Sequence, residues 1–589
     1  MRVQPPSQEE LRLRRVGLFL GVILLFFVLR LLQFQVFQAD EINKVSYNKR
    51  SVEDVVPAVR GSIVDAQGKI LAKTELSYDI NVDPSMVSDF NRVVNGSEVL
   101  ISVDQAAQEL ATYLKVDVSE IKAKLVGTSR YANLKRAVDA LTFTKIRALQ
   151  IPWVFDKELQ HRIYPNGALA GNLLGFIGSE GKPLEGLELQ ENKCLAGVDG
   201  KETYEKGAKD GIKIPNSARV SVQAQDGGDL VLSINSDLQY YAQQVMTKYV
   251  RNEKADWGSA VVVEVKTGKI LAAAESPSVD PNDFLAVDSQ NRRSRIFQFG
   301  FEPGSTIKTL TAAATIDQGK ATPLTQVKAP QTIVMPGTDG FRIKDSHDHP
   351  TQRLTLTGVL RDSSNTGIVQ IGAAVPYAIR YDYWKKFGLG SRTAVDFAGE
   401  SSGIIHGPTA PDGVTNYTTM FGQAMSVTPI QTAFIYQTIA NGGVRLAPQL
   451  ILGCRQPDGT VTPIEKLGEP VRAISESAAK QTIAMLEKVV EDGPIGRTAA
   501  IPGYRLAGKS GTAQIKDGNG YGYRYAISFI GMVPADDPKY VLAVTIYKPR
   551  TVSNSIGATP PFKAIMEQIL HAYRIPPSTT KSAPLSSTW

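Results

Sequence analysis

The amino-acid sequence predicts a mixed α/β protein: an antiparallel sheet covered by helices, preceded by an elongated N-terminal pedestal domain and one transmembrane helix. The first observation is that 589 residues, 42% hydrophobic and 21% charged, suffice for two or more globular domains. The second is a long apolar run near the N-terminus. The third is that strand-like segments stand at both ends of residues 228–575, with helical patterns between them. Strands from both ends would then form one sheet, with helices on both faces.

The charge of the chain argues against nucleic-acid binding. The net charge is +7, but the 65 lysines and arginines are spread along the chain, with no basic run beyond the N-terminus. Nucleic-acid-binding surfaces concentrate basic residues on one face or element. We therefore expect no nucleic acid among the partners.

The two cysteines, Cys194 and Cys454, lie far apart and show neither C-x-x-C nor zinc-ligand spacing. Buried free cysteines behave as small hydrophobic residues, which is the simpler interpretation. A disulfide between them is the alternative. The sequence leaves this question open.

The N-terminal segment has the features of a membrane anchor. Arg12, Arg14 and Arg15 lie directly before residues 16–37, an apolar stretch of 22 residues interrupted by one arginine. At roughly 1.5 Å per residue a helix of this length spans about 33 Å, enough to cross a bilayer. Cleavage after Ala39 would place bulky Phe37 where signal peptidase prefers a small residue, which favours an uncleaved anchor. Residues 1–15 are then a cytoplasmic tail, and the chain after residue 40 is extracytoplasmic.

Residues 40–225 are predicted to form the pedestal. Residues 60–72 have the pattern strand, glycine turn, strand. Residues 103–125 contain two amphipathic helical patterns, typical of a small inserted subdomain. No nucleophile with a matching base stands out here, so a structural role is the simplest interpretation.

The second domain is predicted over residues 228–575. Its strand and helix signals lie at 229–234, 236–250, 259–265, 270–274, 526–532, 540–546 and 561–573. The remaining residues, 576–589, are rich in proline, serine and threonine, and we expect them to be disordered.

One stretch of this domain has the features of an activated nucleophile. Pro303-Gly304 breaks the preceding structure, and the alanine-rich run after Ser305 predicts a helix that ends near Gly319. Ser305 would lie at the helix N-terminus, with Lys308 on the same face one turn later. A hydroxyl beside an amine of lowered pKa can act as a nucleophile without a histidine.

Three motifs in a fixed order are stronger evidence for a catalytic site than the first motif alone. Ser-x-x-Lys recurs at five other serines, but Ser363-Ser364-Asn365 follows Ser305 by 58 residues and Lys509-Ser510-Gly511-Thr512 follows it by 204. The last motif lies on a strand-like segment. The ordered set resembles the signature of penicillin-binding proteins and class A β-lactamases, with Ser364 in place of Asp and Ser510 in place of Thr.

Further motifs resemble class B penicillin-binding proteins along nearly the whole chain; they lie at 60–61, 164–165, 186–188, 280–282, 302–304, 422–423, 428–431 and 440–443. Residues 529–535 with 537–540 resemble the septal, cell-division transpeptidases of the FtsI kind. Residues 195–200 resemble Gram-positive members of the family, actinobacterial ones among them.

The resemblance implies a peptidoglycan D,D-transpeptidase. Ser305 would attack the penultimate D-Ala carbonyl of a stem peptide and release the terminal D-Ala, with Lys308 as general base. Ser363 would relay the proton to the leaving amine. Asn365 would hold the substrate amide and Lys308.

The substrate's terminal carboxylate would be bound by the third motif, Lys509, Ser510, Gly511 and Thr512. Backbone N–H groups of Ser305 and Thr512 would form the oxyanion hole. No metal or cofactor is needed, and the stretch 347–349, His-Asp-His, is better interpreted as a polar loop than as a metal pair.

The implied partners are stem peptides, β-lactams as inhibitors, division-complex membrane proteins and a glycan polymerase of the SEDS kind, since no glycosyltransferase domain precedes residue 228. The implied location is the cell membrane at the division septum. An elongation transpeptidase, and a non-catalytic β-lactam sensor or scaffold, are the alternatives. A β-lactamase would need a residue to activate the deacylating water, and no Glu-x-x-Leu-Asn segment lies between Ser363 and Lys509.

Overall fold

The computed structural model describes residues 8–94, 96–178, 180–205, 217–410, 412–463, 468–517 and 520–589. The first seven residues of the predicted cytoplasmic tail therefore lie outside the described part. The chain forms two compact units, residues 1–59 with 197–226, and residues 60–196 with 227–589.

Helices and strands both occur along the chain, in runs of one to five elements of the same kind. Up to residue 226 they are α1 (Gln8–Leu32), α2 (Ala39–Arg50), β1 (Ser51–Val56), β2 (Ile63–Val64), β3 (Ile70–Val82), β4 (Phe90–Val94), β5 (Ser97–Ile101), α3 (Val103–Leu114), α4 (Val118–Leu125), β6 (Ala132–Asp139), α5 (Ala140–Ala148), β7 (Val154–Ile163), α6 (Gly171–Leu174), α7 (Gly186–Gln190), α8 (Asn192–Leu195), β8 (Gly200–Glu205) and β9 (Arg219–Val222).

The remaining elements follow residue 227. They are β10 (Asp229–Leu232), α9 (Ser236–Asn252), β11 (Trp257–Glu264), β12 (Ile270–Ser276), α10 (Ser289–Arg292), α11 (Arg295–Gln298), α12 (Lys308–Asp317), β13 (Gln326–Ala329), β14 (Thr332–Val334), β15 (Arg342–Lys344), β16 (Gln352–Thr355), α13 (Leu356–Arg361), α14 (Asn365–Gly372), α15 (Tyr377–Lys386), α16 (Gly413–Thr418), α17 (Pro429–Ala440), β17 (Val444–Arg445), β18 (Ile451–Arg455), β19 (Val461–Thr462), β20 (Val471–Arg472), α18 (Glu476–Glu491), β21 (Ala507–Asp517), β22 (Gly520–Val533), β23 (Tyr540–Tyr547) and α19 (Thr559–Ala572).

The first unit contains the apolar helix and a small sheet. α1 continues through a π-helical turn to Phe37, and this 30-residue stretch is the one helix among the described residues that is long and apolar enough to cross a membrane. The sheet is antiparallel in the order β1-β8-β9. One hydrogen bond joins the loop after β1 to the loop before β8: Ala58 N donates to Asp199 Oδ1 at 2.8 Å.

The helical patterns predicted in residues 103–125 form α3 and α4. Ser102 caps α3 with a capping box, in which Gln105 reciprocates. The apolar stripe of both helices packs into a separate core cluster that contains Leu110, Ile121 and Trp153. This supports the interpretation of an inserted subdomain with its own core.

In the second unit, one sheet combines strands of the predicted pedestal with strands of the predicted second domain. Its order is β19-β18-β10-β2-β3-β6, and β7 also pairs with β3. β10 therefore lies between β18 and β2. Cys194 of α8 and Cys454 of β18 form a disulfide with their Cα atoms 6.0 Å apart. The open question about the cysteines is thus answered by the pairing, and the simpler interpretation as two free cysteines is wrong.

The predicted antiparallel sheet is present in the order β12-β11-β23-β22-β21, so it combines strands from both ends of the domain. Successive side chains of a strand point to opposite faces. In β11, Ala260 and Val262 pack in the cluster that contains α9 and α19, whereas Val261 and Val263 pack in the cluster that contains α17. Helices cover both faces, as predicted, and β21 is left as an edge strand.

The segment 576–589 differs from the predicted disorder. Ser578 N donates to the Gly503 carbonyl oxygen at 2.9 Å, and Thr355 N donates to the Ser587 carbonyl oxygen at 3.1 Å. The Trp589 ring packs against Arg353, with 4.2 Å between the guanidinium carbon and the ring centroid. These contacts use backbone groups and one terminal aromatic ring, which a prediction from polar composition does not detect.

Candidate active site

The predicted nucleophile, Ser305, lies in a 3-10 turn over Gly304–Ile307 that leads directly into α12. Gly304 has φ +55°, and a Cβ added there would lie 2.8 Å from the Thr512 carbonyl oxygen. Only glycine allows the turn to approach β21 this closely. Ser305 is partly exposed and lines a cleft of about 460 Å³.

The buried helix α17 supports the same turn from behind. Tyr436 donates its hydroxyl hydrogen to the Thr306 carbonyl oxygen at 3.0 Å. A phenol has one hydrogen, so Thr309, whose Oγ1 lies 2.9 Å from the Tyr436 hydroxyl, is the donor in that second bond. The backbone around Ser305 is thereby held by side chains in the core.

The second motif lies on the turn between α13 and α14. Ser363 has φ +59°, a left-handed conformation that costs energy for a residue with a Cβ and is often found at functional sites. Lys308 Nζ donates to the Ser363 carbonyl oxygen and, at 3.3 Å, to its Oγ. Lys509 Nζ donates to the same Oγ at 3.0 Å. Because Ser363 accepts from both amines, its own hydroxyl hydrogen is available to another acceptor.

The third motif lies on the edge strand β21. Glycine is required at Gly511, because an added Cβ would come within 2.5 Å of Ser528 Oγ and 2.7 Å of Thr306 Cγ2. The Thr512 carbonyl oxygen faces Gly304. Since the N–H and C=O groups of one strand residue point to the same side, the Thr512 N–H also points away from β22, toward the nucleophile turn.

Burial controls the charge of the two amines. Lys308 and Lys509 are both 0% exposed. Burial lowers the pKa of Lys308 well below its ordinary 10.5, Lys509 lowers it further, and Asp345 opposes both effects. Burial also lowers the pKa of Lys509 to about 7, and Asp362 opposes this shift. The charged form of each amine is disfavoured, so a neutral amine is available as a proton acceptor near neutral pH.

The residues predicted from sequence therefore converge. Ser305, Ser363, Asn365, Ser510 and Thr512 all line the cleft, and the two lysines meet at Ser363 beneath it. Such an arrangement can activate a serine, deliver a proton and bind an anion at one place.

One predicted contact is not formed. The Asn365 side-chain NH₂ group donates to the Lys344 carbonyl oxygen at 2.8 Å, and no hydrogen bond joins Asn365 to Lys308 among the described residues. The reason is local: Asn365 is the first residue of α14, and its side chain turns toward the end of β15.

Several cleft residues were missed by sequence reasoning. Arg361, Asp362, Tyr525 and Asn554 line the cleft, and Asp345 lies behind the Ser363 turn. Asp345 follows a short strand among other charged residues, a pattern without a distinguishing signal. Asp362 could have been identified from the sequence, because it directly precedes Ser363. Of the predicted polar loop at 347–349, His347 lines the cleft and His349 contacts Asp345.

A serine and a buried lysine one helical turn apart at the start of a buried helix, with a second buried lysine on the edge strand of an antiparallel sheet, match the signature of penicillin-binding proteins and class A β-lactamases. Two family models match the chain in agreement with this class. The penicillin binding protein transpeptidase domain matches residues 258–567, and the penicillin-binding protein dimerisation domain matches residues 55–232.

Relatives match along nearly the whole length. The penicillin-binding protein PbpB of Mycolicibacterium smegmatis is 34% identical, covering 98% of this chain and 93% of that protein. The peptidoglycan D,D-transpeptidase FtsI of Escherichia coli is 31% identical, with 98% and 95% covered. The chain therefore belongs to the class B penicillin-binding proteins, and within them to the PbpB and FtsI type that includes mycobacterial members.

Solved structures resemble the chain in the same way. A peptidoglycan synthetase from Bifidobacterium adolescentis has a TM-score of 0.72 and 31% identity, covering 92% of this chain and all of that one. Penicillin binding protein 3 from Mycobacterium tuberculosis, complexed with aztreonam, has a TM-score of 0.68 and 29% identity, covering 91% of this chain and all of that one.

Proposed function

We propose that the chain is a septal peptidoglycan D,D-transpeptidase that cross-links stem peptides through an acyl-enzyme on Ser305. The observation that carries this proposal is the meeting of two buried amines, Lys308 and Lys509, at the Ser363 hydroxyl in the cleft lined by Ser305. Relatives named for this activity support it.

In the acylation step, Ser305 Oγ attacks the penultimate D-Ala carbonyl carbon and loses its proton to neutral Lys308. Two features support this assignment: Lys308 lies one helical turn from Ser305, and its pKa is lowered by burial and by Lys509. The developing oxyanion would accept from the N–H groups of Ser305 and Thr512. The direction of the Thr512 backbone supports the second donor.

The tetrahedral intermediate then collapses as the C–N bond to the terminal D-Ala breaks. The proton held by Lys308 passes through the Ser363 hydroxyl to the leaving nitrogen, so terminal D-Ala leaves as an amine. An amine of a neighbouring stem peptide attacks the acyl-enzyme, its proton returns to Lys308 and then to Ser305 Oγ, and a new amide bond forms. The hydrogen bond between Lys308 and Ser363 supports this relay.

The carboxylate of the substrate would be bound by Lys509, Ser510 and Thr512, while Gly511 keeps the strand close to the nucleophile turn. An incoming carboxylate favours the charged form of a lysine, so substrate binding would raise the pKa of Lys509 from about 7. Asn365 would contact the substrate amide from the opposite side of the cleft.

The extracytoplasmic location of the catalytic domain, after a cytoplasmic tail and the anchor at 16–37, is part of the proposal. The apolar helix α1 supports an anchor, and the disulfide supports an oxidising compartment. The two family models support the proposed division into a pedestal over 40–225 and a transpeptidase domain over 228–575. A SEDS-type glycan polymerase and other division proteins are the proposed membrane partners.

The central experiment is covalent labelling with a fluorescent penicillin, followed by mass spectrometry of the modified peptide. We expect one label on Ser305, and Ser305→Ala protein of normal thermal stability should take up none. Thr309→Ser is a matched control, a mild change at the residue directly after Lys308 that keeps the hydroxyl group. Labelled Ser305→Ala protein would contradict the assignment. Turnover of a stem-peptide thioester with an acceptor amine distinguishes the alternatives. A transpeptidase forms the cross-linked product, a β-lactamase hydrolyses the thioester, and a sensor stays acylated.

A further inference from the structure

Asp345 is a buried carboxylate directly behind the turn that carries Ser363. It follows β15 and is 5% exposed. Its Oδ1 accepts from the backbone N–H groups of Asn365 and, at 3.1 Å, of Thr366. Its Oδ2 accepts from Ser364 Oγ at 2.7 Å. The carboxylate therefore binds the first turn of α14 at the end where the helix dipole favours negative charge.

His349 completes this arrangement from the same loop. Its side chain is 5% exposed, and its Nε2 lies 3.1 Å from Asp345 Oδ2. Its Nδ1 lies 2.8 Å from the Pro350 carbonyl oxygen. His349 thus packs against the Asp345 carboxylate and adds a polar contact to Oδ2, the oxygen that also accepts from Ser364 Oγ.

The turn held by Asp345 is the turn that both lysines contact. Lys308 Nζ donates to the Ser363 carbonyl oxygen and hydroxyl, and Lys509 Nζ donates to the hydroxyl. Only one residue, Ser364, separates Ser363 from Asn365, so a displacement of the Asn365 N–H group also moves Ser363. Asp345 lies beyond ion-pair distance from Lys308, and its influence on that amine acts across the turn.

We propose that Asp345, held by His349, is a positioning residue for acylation: its oxygens fix the Ser363–Asn365 turn against the two lysines, and its negative charge acts on Lys308 across that turn. The inference rests on the proposed role of Lys308 as general base. None of the three sequence motifs contains Asp345, and it does not line the cleft.

The charge effect has a definite sign. Three charged groups act on the base and its partner: Lys509 on β21 and Asp345 after β15 face Lys308, and Asp362 faces Lys509. A nearby carboxylate raises the pKa of an amine, and Asp345 does so for Lys308. Removing that charge lowers the pKa further. The base is then neutral at lower pH, so the acid limb of the acylation profile shifts downward.

Asp345→Asn tests the charge with little change in shape. The amide oxygen can accept from the backbone of α14, and the NH₂ group can donate to Ser364 Oγ. We expect the acid limb of the second-order rate constant for penicillin acylation to move down by about one pH unit. The maximal rate should stay within about tenfold of wild type, because the turn keeps its hydrogen bonds.

Asp345→Ala tests the positioning. It leaves the donors of α14 without their acceptor, so we expect the maximal rate of acylation, on the plateau above the acid limb, to fall by about 10- to 100-fold, since a misplaced proton-transfer group loses rate on this scale. Asp345→Asn should restore most of that rate while keeping the shifted limb. An Asp345→Asn profile with the wild-type limb would show that Asp345 merely caps α14, and would overturn the proposal.

Asp348→Asn is the matched control, because it removes the same charge from an exposed position of the same loop. Its acid limb should coincide with that of wild type, and an equal shift would attribute the effect to loop charge and reject the role of Asp345. Wild-type protein in the same assay separates the two claims. Absent labelling of wild type would reject the proposed function, whereas labelled wild type with an unmoved Asp345→Asn limb rejects only this inference.

Discussion

Two regions of the second unit bury charged side chains and compensate them differently. In the pedestal, Glu188 is 0% exposed, and its two oxygens accept from Arg60 Nε and Arg162 Nε, each at 2.7 Å. In the cleft, Lys308 and Lys509 are equally buried, but no carboxylate of the described residues lies within 4.0 Å of either amine.

The difference separates two uses of a buried charge. An ion pair with further hydrogen bonds tolerates burial and joins distant segments, as the Arg60, Arg162 and Glu188 group does for residues far apart in sequence. A buried amine without a countercharge favours its neutral form, so it is free to accept a proton near neutral pH. We therefore expect stability to depend on the first group and catalysis on the second.

The largest expected effect is at Lys308. Lys308→Met fills the same space but cannot accept a proton, so we expect acylation of Ser305 to fall by about 10³-fold. The thermal midpoint should not fall, because the change replaces a buried amine with an apolar chain. Lys320→Met, which removes an exposed amine near the end of the same helix, should acylate like wild type. A Lys308→Met protein with unaltered labelling kinetics would remove Lys308 as the base.

The second effect is at Glu188. Glu188→Gln leaves the buried Arg162 and the partly buried Arg60 without their countercharge, so the free energy of unfolding should decrease by about 3–5 kcal/mol in urea titrations. The acylation rate per folded molecule should remain that of wild type. Glu180→Gln, which changes an exposed pair with Lys182, should alter stability by less than about 1 kcal/mol. A catalytic loss in folded Glu188→Gln protein would break the distinction between the two regions.

The smallest effect is a pH dependence of stability. Between the folded pKa of Lys509, about 7, and its ordinary value of 10.5, the unfolded chain binds more protons at this residue, so the free energy of unfolding rises with pH. Lys509→Met should reduce this slope by at most about 1.4 kcal/mol per pH unit. Urea titrations at several pH values across the window measure the slope. A slope equal to that of wild type would contradict a lowered pKa for Lys509.

Most of the candidate site was accessible from the sequence, because its motifs consist of neighbouring residues. The serine and lysine of the first motif lie one helical turn apart, and the third motif lies on a segment whose strand pattern can be recognised in the sequence. Asn365 was assigned to contact Lys308 and contacts Lys344 instead. Asp345 was missed because its partners, Ser364 and the α14 backbone, lie about 20 residues away across a loop.

The sequence by itself determined the apolar helix, the alternation of strands and helices, and the order of the three motifs, because each depends on spacings of a few residues. Only the tertiary structure decided that Lys308 and Lys509 meet at one hydroxyl, that Cys194 pairs with Cys454, and that the segment after residue 575 is held on the domain. Burial and long-range distances follow from how whole elements pack, and they control the amine pKa values on which the chemistry depends.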